Sequence, residues 1–361
     1  MSQSHRRAPW PRCSDREYLN LVQQFFNSYS SPGLSALYAA SLRGDMSTVK
    51  EALSQKPNIN GNGDKHGTPL HAAALNGNVD IARLLIDSGA DVEAPGKVSY
   101  GTPLHAAALN GNIGIVRLLL DEGADIDAPG TRHYGTPLFE AAFNGNINIV
   151  SLLIDKGADI NAPGEEYYGT ALHGAALNGH ESILELLLDE GADAQIDCGM
   201  FGTPLQAAVL LNREELALRL VTLLLNNGAD INGQGRDTGN VLQAAVIQGN
   251  KGVVEMLLEF GANVNGGRGE YESPLITAVT CRDKTMMKLL LDNGADINLQ
   301  FGDRNTALMA AVWNNDEEAV AVLLHNGTDS SLQGDDVTNA WQLASSRRYM
   351  KILELLKRQM P

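Results

Sequence analysis

Residues 67–78 read GTPLHAAALNGN, and residues 101–112 repeat the same twelve letters. The Gly-Thr-Pro-Leu core of this stretch begins again at Gly135 and Gly202, and a variant with Ala in place of Pro begins at Gly169. Weaker copies complete a series of threonine positions along the chain: Ser35, Thr68, Thr102, Thr136, Thr170, Thr203, Asn240, Ser273, Thr306 and Asn339. The intervals are 33 or 34 residues except for one of 37. A fixed period of this size predicts a repeat architecture.

A second motif, Gly-Ala-Asp followed by Val or Ile, keeps the same period. It lies 21 residues after the threonine position in most copies and begins at Gly89, Gly123, Gly157, Gly228 and Gly294. Two interlocked motifs with one common period cannot arise by chance. The chain is therefore built from copies of one supersecondary unit.

The unit itself predicts two short helices and a loop. Thr68 is a good N-cap, and Gly77 ends the first helix after a run of alanines that keeps it thin. Residues 79–88 place Ile and Leu at helical spacing, and Gly89 supplies a left-handed cap for this second helix. Residues 91–100 are typical of an extended finger that turns through Pro-Gly.

These residues resemble the ankyrin repeat, whose signature is Thr-Pro-Leu-His-x-Ala followed by Gly-Ala-Asp-Val/Ile-Asn. Copies with Tyr before Gly-Thr-Pro-Leu are similar to the multi-repeat ankyrin proteins of filamentous fungi. The resemblance implies an all-α repeat solenoid of about ten helix-turn-helix units with β-hairpin or finger loops, covering residues 33–361. Helices this short need their neighbours, so several units must stack.

Residues 1–32 precede the array and are expected to form a polar tail and an amphipathic capping helix. Ser14 and Glu17 have the spacing of a capping box, and the helix that follows places Leu21, Phe25 and Phe26 on one side. One interpretation is an end cap that packs on the first repeat. The other is a helix that binds a partner, since aromatic residues are concentrated there.

The single 37-residue interval follows Thr203. Residues 203 and 228 are 25 apart, whereas the equivalent residues 68 and 89 are 21 apart. Four extra residues equal about one helical turn, so we expect a lengthened helix in this repeat.

Composition restricts the classes of partner. The formal charge of −16 argues against nucleic acid and against an anionic membrane surface, because both require an excess of Lys and Arg. Three widely spaced cysteines, no apolar leader and no long apolar stretch favour an intracellular protein, in the cytoplasm, the nucleus or both.

Two sets of residues fall, by their register in the ankyrin pattern, on the face that this family uses for binding. The first set, which we call the aromatic ladder, lies two residues before the threonine position and comprises Tyr100, Tyr134, Tyr168, Phe201 and Tyr271. Tyr is a favoured interface residue because it offers contact area at a small cost in rotamer entropy. The alternative is that the rings stack finger on finger and stiffen the loops.

The second set, the apolar ladder, lies seven residues after the threonine position and comprises Leu75, Leu109, Phe143, Leu177, Leu210, Ile247 and Trp313. If it is exposed, a continuous apolar row marks a binding site. The alternative is packing between adjacent first helices. The asparagines that follow it are expected to cap the helix end: Asn76, Asn110, Asn144, Asn178 and Asn314.

Three histidines, His71, His105 and His173, share one place in the motif. They are expected to hydrogen-bond within the turn, because at about one repeat apart they cannot share a zinc ion. Glu140, a carboxylate on a first helix where most copies have Ala or Gly, could pair with a basic residue of a partner.

The sequence thus predicts a non-enzymatic scaffold or adaptor that binds another protein. A narrower version is a regulatory subunit or a transcription coregulator that works through a DNA-binding partner. The rival class is an enzyme, but the chain shows no nucleophile with a positioned base, no phosphate-binding Gly loop and no metal spacing. We therefore expect no catalytic, metal or cofactor residues, and no small-molecule substrate.

Overall fold

The computed structural model describes residues 36–61, 67–96, 101–130, 135–164, 169–199, 202–235, 239–267, 273–300, 306–333 and 339–358. These segments contain ten helix-turn-helix pairs, one after each threonine position, which we number repeats 1–10. The chain divides into two compact units, residues 1–124 with the helices of repeats 1–3 and residues 125–361 with those of repeats 4–10. The predicted all-α repeat architecture is confirmed.

Odd-numbered helices are the first helix of each repeat and even-numbered helices the second. In chain order they are α1 (Ala36–Arg43), α2 (Met46–Ser54), α3 (Pro69–Asn76), α4 (Val79–Asp87), α5 (Pro103–Leu109), α6 (Ile113–Asp121), α7 (Pro137–Phe143), α8 (Ile147–Asp155), α9 (Ala171–Asn178), α10 (Glu181–Asp189), α11 (Pro204–Val209), α12 (Glu214–Asn226), α13 (Val241–Gln248), α14 (Lys251–Glu259), α15 (Pro274–Thr280), α16 (Lys284–Asp292), α17 (Ala307–Trp313), α18 (Glu317–His325), α19 (Ala340–Arg347) and α20 (Met350–Lys357).

The first helices begin and end where the motif predicts. Thr203 and Asn240 act as N-caps, each accepting a hydrogen bond from the backbone N–H three residues later. Gly77 ends α3 in the left-handed conformation, with φ of 83°. In α3 every residue from 69 to 75 is buried, and the small alanines allow the neighbouring first helices to approach closely.

The second helices are amphipathic. In α4 the Asn78 side chain accepts a hydrogen bond from Ile81 N at 3.0 Å and caps the first turn. Ile81 and Leu85 are fully buried, whereas Arg83 and Asp87 are exposed. Each second helix therefore covers the core with one face and contacts solvent with the other.

Repeat 6 departs from the pattern as expected. Helix α12 has 13 residues, against nine in the second helices of most repeats, so the prediction of a lengthened helix is confirmed. The added turn is packed, because Leu216 and Ala217 within it are buried. No helix in the described residues is both long and apolar enough to cross a membrane.

The described β-structure is confined to the fingers. Gln234–Gly235 pairs antiparallel with Gly239–Asn240, and an isolated bridge joins Gln333 to Asn339. The predicted capping helix within residues 1–32 lies outside the described residues.

Candidate protein-binding surface

The aromatic ladder lies outside the described residues. Its five members are Tyr100, Tyr134, Tyr168, Phe201 and Tyr271. The choice between a binding row and a stacked row of fingers stays a prediction.

The apolar ladder is described in full and differs along the chain. In the first unit Leu75 and Leu109 are 7% and 8% exposed, so both are covered and offer almost no accessible surface. In the second unit Phe143, Leu177, Leu210 and Ile247 are half-buried, and Trp313 is 59% exposed. The expected continuous exposed row is therefore not formed, because Trp313 alone of the seven residues is exposed. The partly accessible residues are restricted to repeats 4–9 and are interrupted in repeat 8, where the equivalent residue is the polar Thr280.

The asparagines after the ladder join neighbouring repeats. Asn76 Nδ2 donates to Leu42 O at 3.0 Å, Asn178 Nδ2 donates to Phe143 O at 2.6 Å, and Asn110 Nδ2 donates to Leu75 O. Asn110, Asn144 and Asn314 are the C-cap residues of their own first helix, as expected, whereas Asn76 and Asn178 are the last helical residue before a C-cap glycine. The three side chains that donate to the preceding repeat therefore also join neighbouring repeats. Asn144 alone of the four keeps to its own helix, donating to Glu140 O at 3.0 Å.

Two of the three motif histidines, His71 and His173, hydrogen-bond within the turn and link neighbouring repeats. His71 Nδ1 accepts a hydrogen bond from Thr68 N at 3.2 Å, which leaves the proton on Nε2 to be donated to Gly101 O of the next repeat at 3.1 Å. The ring is fully buried, and desolvation lowers its pKa to about 4. His173 makes the equivalent bonds to Thr170 N and Gly202 O, at 3.0 and 2.8 Å. No group of residues able to hold a metal ion occurs in the described segments.

Glutamine performs the same task in repeat 6. Gln206 Oε1 accepts from Thr203 N at 2.9 Å, and Nε2 donates to Gly239 O at 2.8 Å. An amide presents one acceptor and one donor as the neutral imidazole does, so His and Gln are interchangeable here.

Repeat 4 has neither His nor Gln at this position, and its hydrogen bond comes from a glutamate one residue later. Phe139 stands at the histidine position and stacks on Phe143 with ring centroids 5.6 Å apart. Glu140, the next residue, accepts a hydrogen bond from Gly135 N at 2.8 Å through Oε1. The side chain is 1% exposed, and desolvation raises its pKa to about 8. Glu140 is therefore a neutral buried acid near pH 7, and the expectation that it could reach a basic group of a partner is wrong.

Arginines at the end of the chain form a feature that sequence reasoning missed. Arg347 lies over the indole of Trp313, with its guanidinium carbon 3.8 Å from the ring centroid. Arg282 Nη2 donates to Asn314 O at 2.7 Å and so reaches the residue beside Trp313. The signal was available, because Arg282 and Arg348 occupy a position that is Gly in six other repeats.

Known proteins share short stretches of this chain. Dauer abnormal formation protein 25 of Caenorhabditis elegans is 46% identical over 59 residues, which is 16% of this chain and 15% of that protein. Protein phosphatase 1 regulatory subunit 27 of Homo sapiens is 42% identical over 62 residues, which is 17% of this chain and 40% of that protein. The chain thus matches well under two thirds of the length of these relatives.

The solved structures and the family profiles agree on the fold. The human ASB11 ankyrin repeat domain superposes with a TM-score of 0.53 at 27% identity, covering 63% of this chain and 97% of that domain. The family profile described as ankyrin repeats in three copies matches residues 12–96, 94–164, 162–235, 217–301 and 270–334. With successive matches from residue 12 to residue 334, the chain belongs to the ankyrin-repeat family.

Proposed function

We propose that this protein is a non-enzymatic scaffold that binds another protein through the first helices of repeats 4–9. The observation that carries the proposal is the partly exposed part of the apolar ladder, which comprises Phe143, Leu177, Leu210, Ile247 and Trp313. All five residues occupy one position of the repeat within one compact unit. Apolar side chains that a chain leaves in contact with water at a repeated position offer a partner area to bury.

The titratable groups support a binding role over catalysis. His71, His173 and Glu140 have strongly shifted pKa values, which are often a sign of an active site. Each of them is buried and bonded to the backbone of its own or the next repeat, so the shift follows from a structural task. The same proposal includes an intracellular location, which the exposed free thiol of Cys281 favours.

A regulatory subunit is a second candidate. The likeness to a phosphatase regulatory subunit favours it, since that stretch covers 40% of the relative. On this version the ladder binds an enzyme whose activity the scaffold directs.

The test is a quantitative affinity capture from the native cell with the full chain as bait. The variant Phe143→Ser/Ile247→Ser removes two ladder side chains, and the matched control Ile147→Ser/Phe260→Ser removes two exposed apolar side chains beside the second helices. We expect specific partners to be lost by the first variant and kept by the control, with the helical circular dichroism of both intact. Equal capture by wild type and the ladder variant would overturn the proposal.

A further inference from the structure

Arg347 contacts Trp313, Arg282 bonds to the residue after Trp313, and Arg348 follows Arg347 along the chain; we name these four residues the Trp–Arg cluster. All four residues are exposed. Their contacts run from repeat to repeat, since Arg282 reaches Asn314 O at 2.7 Å and Arg347 covers the Trp313 ring at 3.8 Å. Two guanidinium groups and an indole are therefore linked across three successive repeats, and Arg348 is the exposed residue that follows Arg347.

The backbone of this surface is strained where glycine would relax it. Arg282 and Arg348 both have φ of 59°, at the position where six other repeats have glycine with positive φ: Gly44, Gly77, Gly111, Gly145, Gly179 and Gly249. A residue with a Cβ in the left-handed conformation costs free energy relative to glycine. The chain accepts this cost at both arginines, whose side chains remain exposed, and Arg282 gains the hydrogen bond to Asn314 O. Strain of this kind often accompanies a binding site.

Nearby carboxylates are already engaged. Asp283 and Asp316 are N-caps that accept from Met286 N at 2.9 Å and from Ala319 N at 3.0 Å. The two glutamates in the same turns form ion pairs, Glu317 with Lys351 at 3.4 Å and Glu318 with Lys284. Asp283 and Asp316 keep their negative charge as caps, so the three arginines exceed these two carboxylates by one charge on a chain whose formal charge is −16.

The geometry points to a short acidic segment of a protein partner as the occupant of the Trp–Arg cluster. Arginine binds carboxylates through two parallel hydrogen bonds, which favours an acidic ligand, and the exposed indole favours an apolar side chain. Arg282 and Arg348 stand two repeats apart, about 16–20 Å at the usual spacing of packed helices. An extended chain covers that span with about five or six residues at about 3.3 Å each. The ligand is therefore an extended segment with carboxylates at both ends and an apolar residue between them.

This inference rests on the proposed scaffold function and names the chemistry of the partner. A nucleic acid is the less favoured ligand, because a long phosphate chain is repelled by the acidic remainder of the protein, whereas a short segment contacts the cluster alone. The role of Trp313 is then shared, since it belongs both to the apolar ladder and to the Trp–Arg cluster.

The experiment selects hexapeptides from a random display library on the immobilised full-length chain and measures the affinity of the enriched peptides by fluorescence anisotropy. The variant Arg282→Gly/Arg348→Gly removes two charges and restores the residue that six other repeats carry, so it folds at least as well as wild type. The control Arg83→Ala/Arg117→Ala removes two exposed arginines from the second helices of repeats 2 and 3.

We expect peptides with Asp or Glu near both ends, an affinity at least about tenfold lower for the glycine variant and for Trp313→Ala, and no change for the control. Binding also weakens with added salt. A library without acidic enrichment, equal affinity of the glycine variant, or competition by a single-stranded RNA hexamer and not by the peptides would overturn the inference. If peptide binding depends on Phe143 and Ile247 alone, the scaffold proposal stands and this inference fails.

Discussion

Repeats 2 and 3 and repeats 8–10 treat the same motif positions in opposite ways. In repeats 2 and 3 glycine takes the left-handed turn, and Leu75 and Leu109 are covered. In repeats 8–10 that turn holds Arg282, Asn315 and Arg348, and Trp313 is 59% exposed. The hydrogen-bonding residue of the motif changes as well, since His71 and His105 have apolar counterparts in repeats 8 and 9.

The same position of the repeat can therefore be a buried stacking residue in one copy and an exposed surface residue in another. Where neighbouring repeats are nearly identical, the first helix and the turn after it serve stacking, and their residues are mostly buried or bonded to a neighbouring copy. Where the motif degenerates, positions released from stacking carry exposed aromatic and charged side chains at the expense of stability.

Glu140→Gln should have the largest effect, because the buried carboxyl group of repeat 4 makes the stability of the chain depend on pH. The pKa of Glu140 is raised from 4.5 to about 8, so the folded chain keeps a proton that the unfolded chain loses above pH 4.5. The stability of the wild type therefore falls from pH 4.5 to pH 8, by up to about 5 kcal/mol, and then levels off. Gln is neutral throughout and keeps the acceptor for Gly135 N. Urea unfolding between pH 5 and 9 should show that the free energy of unfolding of the variant rises relative to that of wild type as the pH rises. A difference between the two proteins that does not change with pH would contradict this.

His173→Ala should cost about 2–3 kcal/mol in urea unfolding, because it leaves the buried Thr170 N and Gly202 O without this partner. His173→Gln is the matched control and should stay close to wild type at pH 7, as Gln206 does the same work in repeat 6. The pKa of His173 is lowered from 6.5 to about 4, so wild type loses stability as pH falls through that range. The Gln variant should lose less there, and an equal loss in both would refute the assigned role.

Arg282→Gly and Arg348→Gly should each stabilise the chain by about 0.5–1 kcal/mol, because they relieve a left-handed residue. Gly77→Arg in repeat 2 is the reverse experiment. It should destabilise by more than that, since a Cβ at Gly77 meets Asn112 Oδ1, the side chain that bonds to Ala74 O. The melting temperatures of the three variants measure whether the two glycine variants gain stability and Gly77→Arg loses it. A lower melting temperature for Arg348→Gly would show that this arginine is a structural residue.

Trp313→Ser should have the smallest effect on stability, within about 0.5 kcal/mol, because the side chain is 59% exposed and packs chiefly on Arg347. Leu109→Ser at the equivalent covered position should cost at least about 2 kcal/mol. The urea midpoints of Trp313→Ser and Leu109→Ser test whether repeats 2 and 3 differ from repeats 8–10 in how far the apolar ladder is exposed. Similar losses of stability in the two variants would show that they do not differ.

Much of the fold could be predicted because its signals are local. Thr203 and Asn240 as caps, Gly77 as the end of a helix and the period of the motif depend on a few neighbouring residues. The lengthened α12 also followed from counting, since four residues added to a helical stretch add about one turn.

The candidate site could be predicted only as a set of positions. The motif period is enough to assign residues to the apolar ladder, to place the start of each helix and to show that one repeat is longer. The packing of neighbouring repeats is needed to show that Leu75 is covered while Trp313 is exposed, that Asn110 bonds to the preceding repeat, and that Glu140 is a buried acid. The reason is physical: a cap or a turn is set within a few residues, whereas burial and the bonds between repeats depend on side chains some 30 residues away along the chain.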